Sequence, residues 1–195
     1  MESDQCRRCG DARETIEHII SGCKVLAGNE YIERHDTAAK IIHQELAKEH
    51  HLIQTTNPHY KYKPESILEN EKHKLYWNRT MHTDKTVAHN RPDITLICKQ
   101  EQTTYLIDIA IPGDTNVAAK EQEKVTKYIP LAVEMKEIWK QKKVIVIPVV
   151  ISATGVTSKN FMRHIEKIKV PKYIHSIIQK AVILKTANTV RKFLQ

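Results

Sequence analysis

Arg91-Pro92-Asp93-Ile94-Thr95-Leu96-Ile97-Cys98-Lys99, then Gln100-Glu101-Gln102, then Thr103-Thr104-Tyr105-Leu106-Ile107-Asp108-Ile109-Ala110-Ile111 is the stretch on which the fold turns. Residues 93–99 and 103–111 are rich in β-branched and aromatic side chains, and three polar residues separate them as a turn would. The spacing predicts a hairpin, and Pro92 is tolerated at a strand start. Asp108 is flanked by apolar residues on both sides. A carboxylate in such a strand is costly to bury without a partner.

Outward from the hairpin, Ile32, His35, Ala39, Ile42 and Leu46 recur at helical spacing, so residues 31–50 are expected to be a helix. Residues 52–71, polar and holding Pro58 and Pro64, read as a loop, and 74–81 as a first strand. A helical pattern covers 117–141, with a kink or split expected at Pro130, which removes a backbone donor. Residues 143–152, almost wholly apolar, suit a strand buried on both faces. Helical spacing returns at Phe161, Ile165 and Ile168 and again over 173–194. The order α-β-β-β-α-β describes an α/β sheet.

The N-terminal segment carries a different chemistry. Cys6, Cys9, His18 and Cys23 form C-x2-C-x8-H-x4-C. Thiolates and imidazole suit tetrahedral Zn²⁺, and two pairs from a short segment close the shell, as in a structural site. A disulfide is the competing reading, but three clustered cysteines leave an odd thiol. Cys98, inside a strand, reads as a buried apolar residue. The expected organisation is a zinc module over 1–29, an α/β core over 30–156 and a basic helical tail over 157–195.

Bulk composition narrows the classes further. The 195 residues are 41% hydrophobic and 28% charged, with five glycines and seven prolines, which excludes a long disordered chain. The start of the chain has no basic, apolar export pattern. The longest apolar run, 144–151, is far short of the roughly 20 residues that span a bilayer. These features predict a protein that is nuclear or cytoplasmic, not secreted and without a membrane partner. Residues 159–195 hold nine Lys or Arg against Glu166 alone, a net +8 that equals the net charge of the whole chain. A neutral body with a basic end suggests a polyanion-binding surface, with nucleic acid as the expected ligand. A solvated basic helix pair is the bland alternative.

Asp93 and Asp108 form P-D-x14-D across the two strands. A divalent cation shared by them would offset the buried charge, and Mg²⁺ takes one or two carboxylates plus water and phosphate oxygens. Alternatively, Asp93 caps a strand and Asp108 pairs with a buried Arg such as Arg91.

RPD, a 14-residue spacer, an Asp in an apolar strand and a Lys-rich helix together resemble the PD-(D/E)xK nuclease core. With the upstream Cys-Cys-His-Cys motif, and with Tyr31-Ile32-Glu33-Arg34-His35-Asp36 after it, the chain is most similar to the restriction-like endonuclease region of early-branching non-long-terminal-repeat retrotransposon polyproteins. The likeness covers nearly the whole chain. It implies a restriction-endonuclease-like fold and metal-dependent DNA nicking, with Mg²⁺ held by Asp93 and Asp108 and structural Zn²⁺ in the N-terminal module. DNA is the implied partner, with RNA as the alternative. A reverse transcriptase region, normally in the same polyprotein, is absent from these residues, so the chain is expected to be a fragment or a host-derived copy.

One departure matters. The pattern's lysine stands two residues beyond the second acid, and Ala110 occupies that position. Lys120, Lys124 and Lys127 lie on one helix face at i, i+4, i+7. Lys124-Val125-Thr126-Lys127-Tyr128 resembles a K-x-x-K-Y element of the family, which implies Lys124, then Lys127, as the catalytic lysine. A solvated basic face is the alternative for both. Arg91, Lys120, Lys159, Arg163, Lys167, Lys169 and Lys172 are the candidate nucleic-acid contacts. His35 and Glu45 fall on the inner face of the first helix, His35 reading more readily as a core histidine than as a catalyst. Two rival functions stand beside the nuclease: a zinc-containing nucleic-acid-binding module that has lost cleavage, and a zinc-stabilised protein-interaction domain.

Overall fold

Short runs of β-branched and other apolar residues in the middle of the chain build a five-stranded sheet among the described residues, with helices on both of its faces. The computed structural model describes residues 4–55 and 57–195. Residues 1–3, which opened the segment read for an export pattern, and Thr56, within the expected loop, lie outside the described residues.

The N-terminal module ends in a π-helical turn, His18–Gly22, and a short helix α1 (Lys24–Leu26). Helix α2 (Ile32–Glu49) follows as the spacing predicts. Strands β1 (Ile67–Glu69), β2 (His73–Trp77), β3 (Ile94–Cys98) and β4 (Thr103–Ala110) form an antiparallel meander. Helix α3 (Val117–Ile138) crosses back, and β5 (Lys143–Val150) adds parallel to β4, giving the order β1-β2-β3-β4-β5. Helices α4 (Phe161–Lys167) and α5 (Ile174–Leu194) complete the chain. Among the described residues, no helix is long and apolar enough to cross a membrane.

Strand alternation divides the core into two layers. Ile94, Leu96, Ile107, Ile109, Ile147 and Val149 face α2, α4 and α5. Leu106 faces the other way, against Tyr128, Leu131 and Met135 of α3. The segment 157–195 is therefore no appended tail. Ile165, Ile174, Ile178 and Val182 lie in the main core, and Phe193 at its far end packs into the N-terminal Cys/His module. Its lysines occupy the solvent side of helices whose other side is apolar.

Three expectations need correction. Residues 52–71 are not all loop, because Ile67–Glu69 pairs as β1 with β2, burying Leu68 in the core. Three residues carry too little periodicity to be read in advance. Of the kink or split expected at Pro130, the split does not occur, because α3 runs through it as one helix. β5 is buried only over its second half, since it is the edge strand, and that position tolerates Pro148 without a backbone donor.

Buried histidines link this core to pH. Burial lowers the pKa of His43 and of His50 from 6.5 to about 4. His43 Nδ1 shares a 2.8 Å hydrogen bond with the Tyr62 hydroxyl. As the pH falls below about 6.5 the unfolded chain takes up these protons first, so stability declines toward pH 4 and is unaffected by these groups above pH 7. Thermal melting at pH 7 and pH 4.5 is expected to show a lower midpoint in acid. His43→Gln, which cannot titrate but keeps a partner for Tyr62, should flatten part of the fall, and an unchanged slope would contradict this assignment.

Candidate functional site

Neighbouring strands carry the two aspartates. β3 pairs with β4 so that Ile94 lies opposite Ile107. Asp93 therefore precedes the first paired residue of β3, and Asp108 follows Ile107 in β4, at the same end of the sheet. Asp108 is 2% exposed, on the face that α3 covers. Its Oδ1 accepts a 2.6 Å hydrogen bond from the Tyr128 hydroxyl. Lys124 Nζ lies 2.5 Å from Oδ2, and Lys127 Nζ lies 3.9 Å from Oδ1. Oδ2 is buried without a hydrogen bond of good geometry, so Lys124 meets it as charge against charge. Burial and the Asp108 charge together raise the Tyr128 pKa, which keeps its hydroxyl a donor.

Asp93 is held from the other layer. Its Oδ2 accepts the backbone N–H of Ile109 at 2.7 Å and lies 3.1 Å from His35 Nε2 on α2. Asp36 Oδ1 lies 3.1 Å from His35 Nδ1. Burial alone would lower the His35 pKa, but Asp93 and then Asp36 raise it to about 9, so the ring is cationic at neutral pH.

Ala110 points to the α3 side and packs with Val117, at the start of that helix, and Val150. A long side chain there would meet the start of α3. Arg91 is not the buried partner of Asp108: it is exposed, and its Nε donates to the Asn78 carbonyl and side-chain oxygens at 2.9 and 2.8 Å. Glu45 sits away from the aspartates, accepting from the Tyr173 hydroxyl at 2.7 Å and pairing with Lys48 at 2.9 Å.

The basic candidates divide between two places. Lys120, paired with Glu123 at 2.6 Å, lines the cleft between α3 and the N-terminal module, beside Lys124 and His35. Lys159 is exposed near the same end, next to Asn160, which hydrogen-bonds Glu121 of α3 at 3.1 Å. Arg163 and Lys167 are exposed on α4. Lys169 pairs with Glu101 in the β3–β4 turn at 3.2 Å, at the opposite end of the sheet from Asp93, and Lys172 pairs with Glu166 at 2.8 Å. The structure therefore does not bring Lys169 and Lys172 to the acidic pair.

Cys6, Cys9, His18 and Cys23 do converge. Their ligand atoms all lie within 4.8 Å of one another, and among the described residues no other group of three or more His, Cys, Asp or Glu could hold a metal ion. Cys9 Sγ lies 3.3 Å from His18 Nε2, and Cys6 Sγ lies 4.0 Å from Cys23 Sγ. A tetrahedral zinc shell sets such atoms roughly 3.5–3.8 Å apart. All four cysteines of the chain are free thiols, so no disulfide competes, and Cys98 is buried as expected. Burial would raise the Cys6 thiol, but the backbone N–H groups of Cys9 and Arg8 bring it down to about 7. Thiolate character suits a metal ligand.

Two further residues tie this module to the core. The Tyr31 hydroxyl donates to the Ile19 carbonyl at 2.7 Å and accepts from the Cys23 N–H at 3.1 Å. Arg34, 1% exposed, donates to the Ile20 carbonyl at 2.7 Å and to Thr186 Oγ1 of α5 at 2.9 Å, and its guanidinium lies over the Tyr31 ring. Sequence reasoning assigned no role to Arg34 or Tyr128. Each lies beside a named candidate, but nothing in one chain shows that a partner 152 or 20 residues away awaits it.

Comparison with known protein families and with curated proteins returned no match for the chain.

The module's apolar cluster holds five fully buried residues, two of them cysteines. Ion binding is therefore expected to carry its folding. Purified protein should contain one zinc per chain by metal analysis, Cys23→Ser should contain almost none, and chelation should lower the melting temperature by several degrees. Full retention of thermal stability without metal would contradict a structural zinc site.

Proposed function

We propose that this chain is a metal-dependent DNA endonuclease of the PD-(D/E)xK type, with the lysine supplied from α3, and that it derives from the restriction-like endonuclease region of a retrotransposon polyprotein. The observation that carries the reading is Lys124 against the buried Asp108 carboxylate, in the strand whose Ile109 N–H holds Asp93. Asp108 in β4, whose Oδ2 Lys124 now pairs with, and Asp93 at the entry to β3 are donors of the kind that Mg²⁺ takes together with water and phosphate oxygens. When bound, Mg²⁺ supplies Lewis acidity toward a phosphoryl oxygen and lowers the pKa of a bound water.

The chain's own groups have distinct tasks in this scheme. Lys124 neutralises negative charge developing on the phosphorus oxygens and orients the attacking water. Lys127, farther from Asp108, meets a neighbouring phosphate. Tyr128 fixes the Asp108 carboxylate with its hydroxyl proton, and the same hydroxyl lies 3.1 Å from the Arg91 carbonyl, so one side chain meets the approaches to both aspartates. Cationic His35 holds Asp93 in place from α2. Hydrolysis breaks one P–O bond, adds water across it and leaves a nicked strand. In the retrotransposon setting the freed 3′ hydroxyl would prime reverse transcription.

Ala110 favours a second reading, a nucleic-acid-binding module without cleavage. One experiment separates the two. Protein with Mg²⁺ is expected to nick supercoiled plasmid. Asp108→Asn should abolish nicking while DNA binding survives, and Lys124→Ala should slow it on the order of 100-fold or more. Salt-sensitive binding without nicking by the wild-type chain would establish the second reading instead.

A further inference from the structure

Residues 78–92, between β2 and β3, form an arm that leads directly into Asp93. Asn78 N–H donates to the Asp93 carbonyl at 2.7 Å, and Met81 N–H donates to the Asn90 carbonyl at 2.7 Å, so the arm leaves and returns as a paired ribbon. Arg91 closes its base on Asn78. Met81 is buried among Leu106, Tyr128, Leu131 and Met135, with Val87 packed beside it. Lys85 Nζ donates to Glu134 Oε1 of α3 at 2.8 Å. A segment of this length without regular structure, yet fixed at three points, is characteristic of a functional loop rather than a passive connection.

What the anchored arm offers to solvent is a set of donors. Arg79, His82 and His89 are exposed and take no hydrogen bond or ion pair among the described residues. Asp84 is the arm's one acid against Arg79, Lys85 and Arg91. His89 and Lys127 line one shallow groove together with Ala119, Gln122, Glu123 and Thr126. Lys127 in turn lies 3.9 Å from Asp108. The same α3 residue Tyr128 that holds the Asp108 carboxylate holds the Arg91 carbonyl at the arm's root, so the arm keeps a set position relative to the acidic pair.

We propose that this arm reads nucleotides flanking the phosphate to be cut, with Arg79, His82 and His89 donating to base edges of duplex DNA. The proposal rests on the nuclease reading for the position of that phosphate. Arginine pairs with the two acceptors of guanine in the major groove, and one good contact of that kind discriminates between bases on the order of tenfold. Lysines on α3 would position the backbone without reading sequence, and the arm would carry the choice of site.

The test selects bound duplexes from a library with randomised sequence, using Ca²⁺ in place of Mg²⁺, and maps nicks in the same library with Mg²⁺. Wild-type protein is expected to enrich particular base pairs at a fixed distance from the nick. The variant Arg79→Ala/His82→Ala/His89→Ala, checked by its melting temperature, should lose that enrichment by about tenfold, whereas Lys142→Ala, at the remote end of the sheet, should keep it. Enrichment unchanged in the triple variant, or none in the wild type, would overturn the arm's role. Enrichment lost in the variant with no nicking by the wild type would leave the arm as the reading element and sink the nuclease reading alone.

Discussion

A carboxylate buried inside a β-strand is the constraint around which this structure is arranged. Asp108 leaves water on folding, and an isolated charge in that setting costs several kcal/mol. The fold answers with Lys124 and the Tyr128 hydroxyl, both from α3. These contacts fix the rotation of α3 over the sheet and turn the Lys124 side of the helix toward β4. They also set where the helix begins, because Val117 then lies over Ala110. A buried pair of this kind adds little net stability, and replacing it by apolar residues is often neutral or favourable.

Around this centre, distant parts of the chain brace one another. Arg34 joins α2, the N-terminal Cys/His module and α5 through one guanidinium. Phe193, almost at the end of the described chain, packs against the cysteines that begin it. Gly113, just beyond β4, touches the same module so closely that a Cβ there would lie 2.9 Å from Ser21 Oγ. The metal-ligand segment therefore forms one wall of the cleft that holds His35, Lys120 and Lys124. Zinc would hold up part of that cleft without taking part in its reaction.

Much of this was legible in advance, for identifiable reasons. The hairpin, α2 and β5 announce themselves by periodicity, and the four metal ligands by spacing. The acidic pair was visible because P-D-x14-D spans one hairpin, where register follows from turn length. Helical spacing put Lys120, Lys124 and Lys127 on one face, and only the resemblance to a K-x-x-K-Y element singled out Lys124. Long-range closure was not visible. The placement of His35 on Asp93 depends on how α2 crosses the sheet end, and the grip of Arg34 on Thr186 joins residues 152 positions apart. Charge counting also misled. The segment 157–195 reads as a cationic tail because composition records its lysines and not the Ile165, Ile174, Ile178 and Val182 stripe that seats it in the core.

Diffraction from crystals soaked in Mn²⁺, a stand-in for Mg²⁺ with an anomalous signal, tests the central claim most directly. The account requires a single anomalous peak touching both Asp93 and Asp108, with Lys124 moved off the Asp108 oxygen that the ion takes. Carboxylates still clasped by Lys124, Tyr128 and His35 at saturating Mn²⁺, with no peak between them, would mean that the pair is a structural ion cluster and that no metal-dependent chemistry resides there.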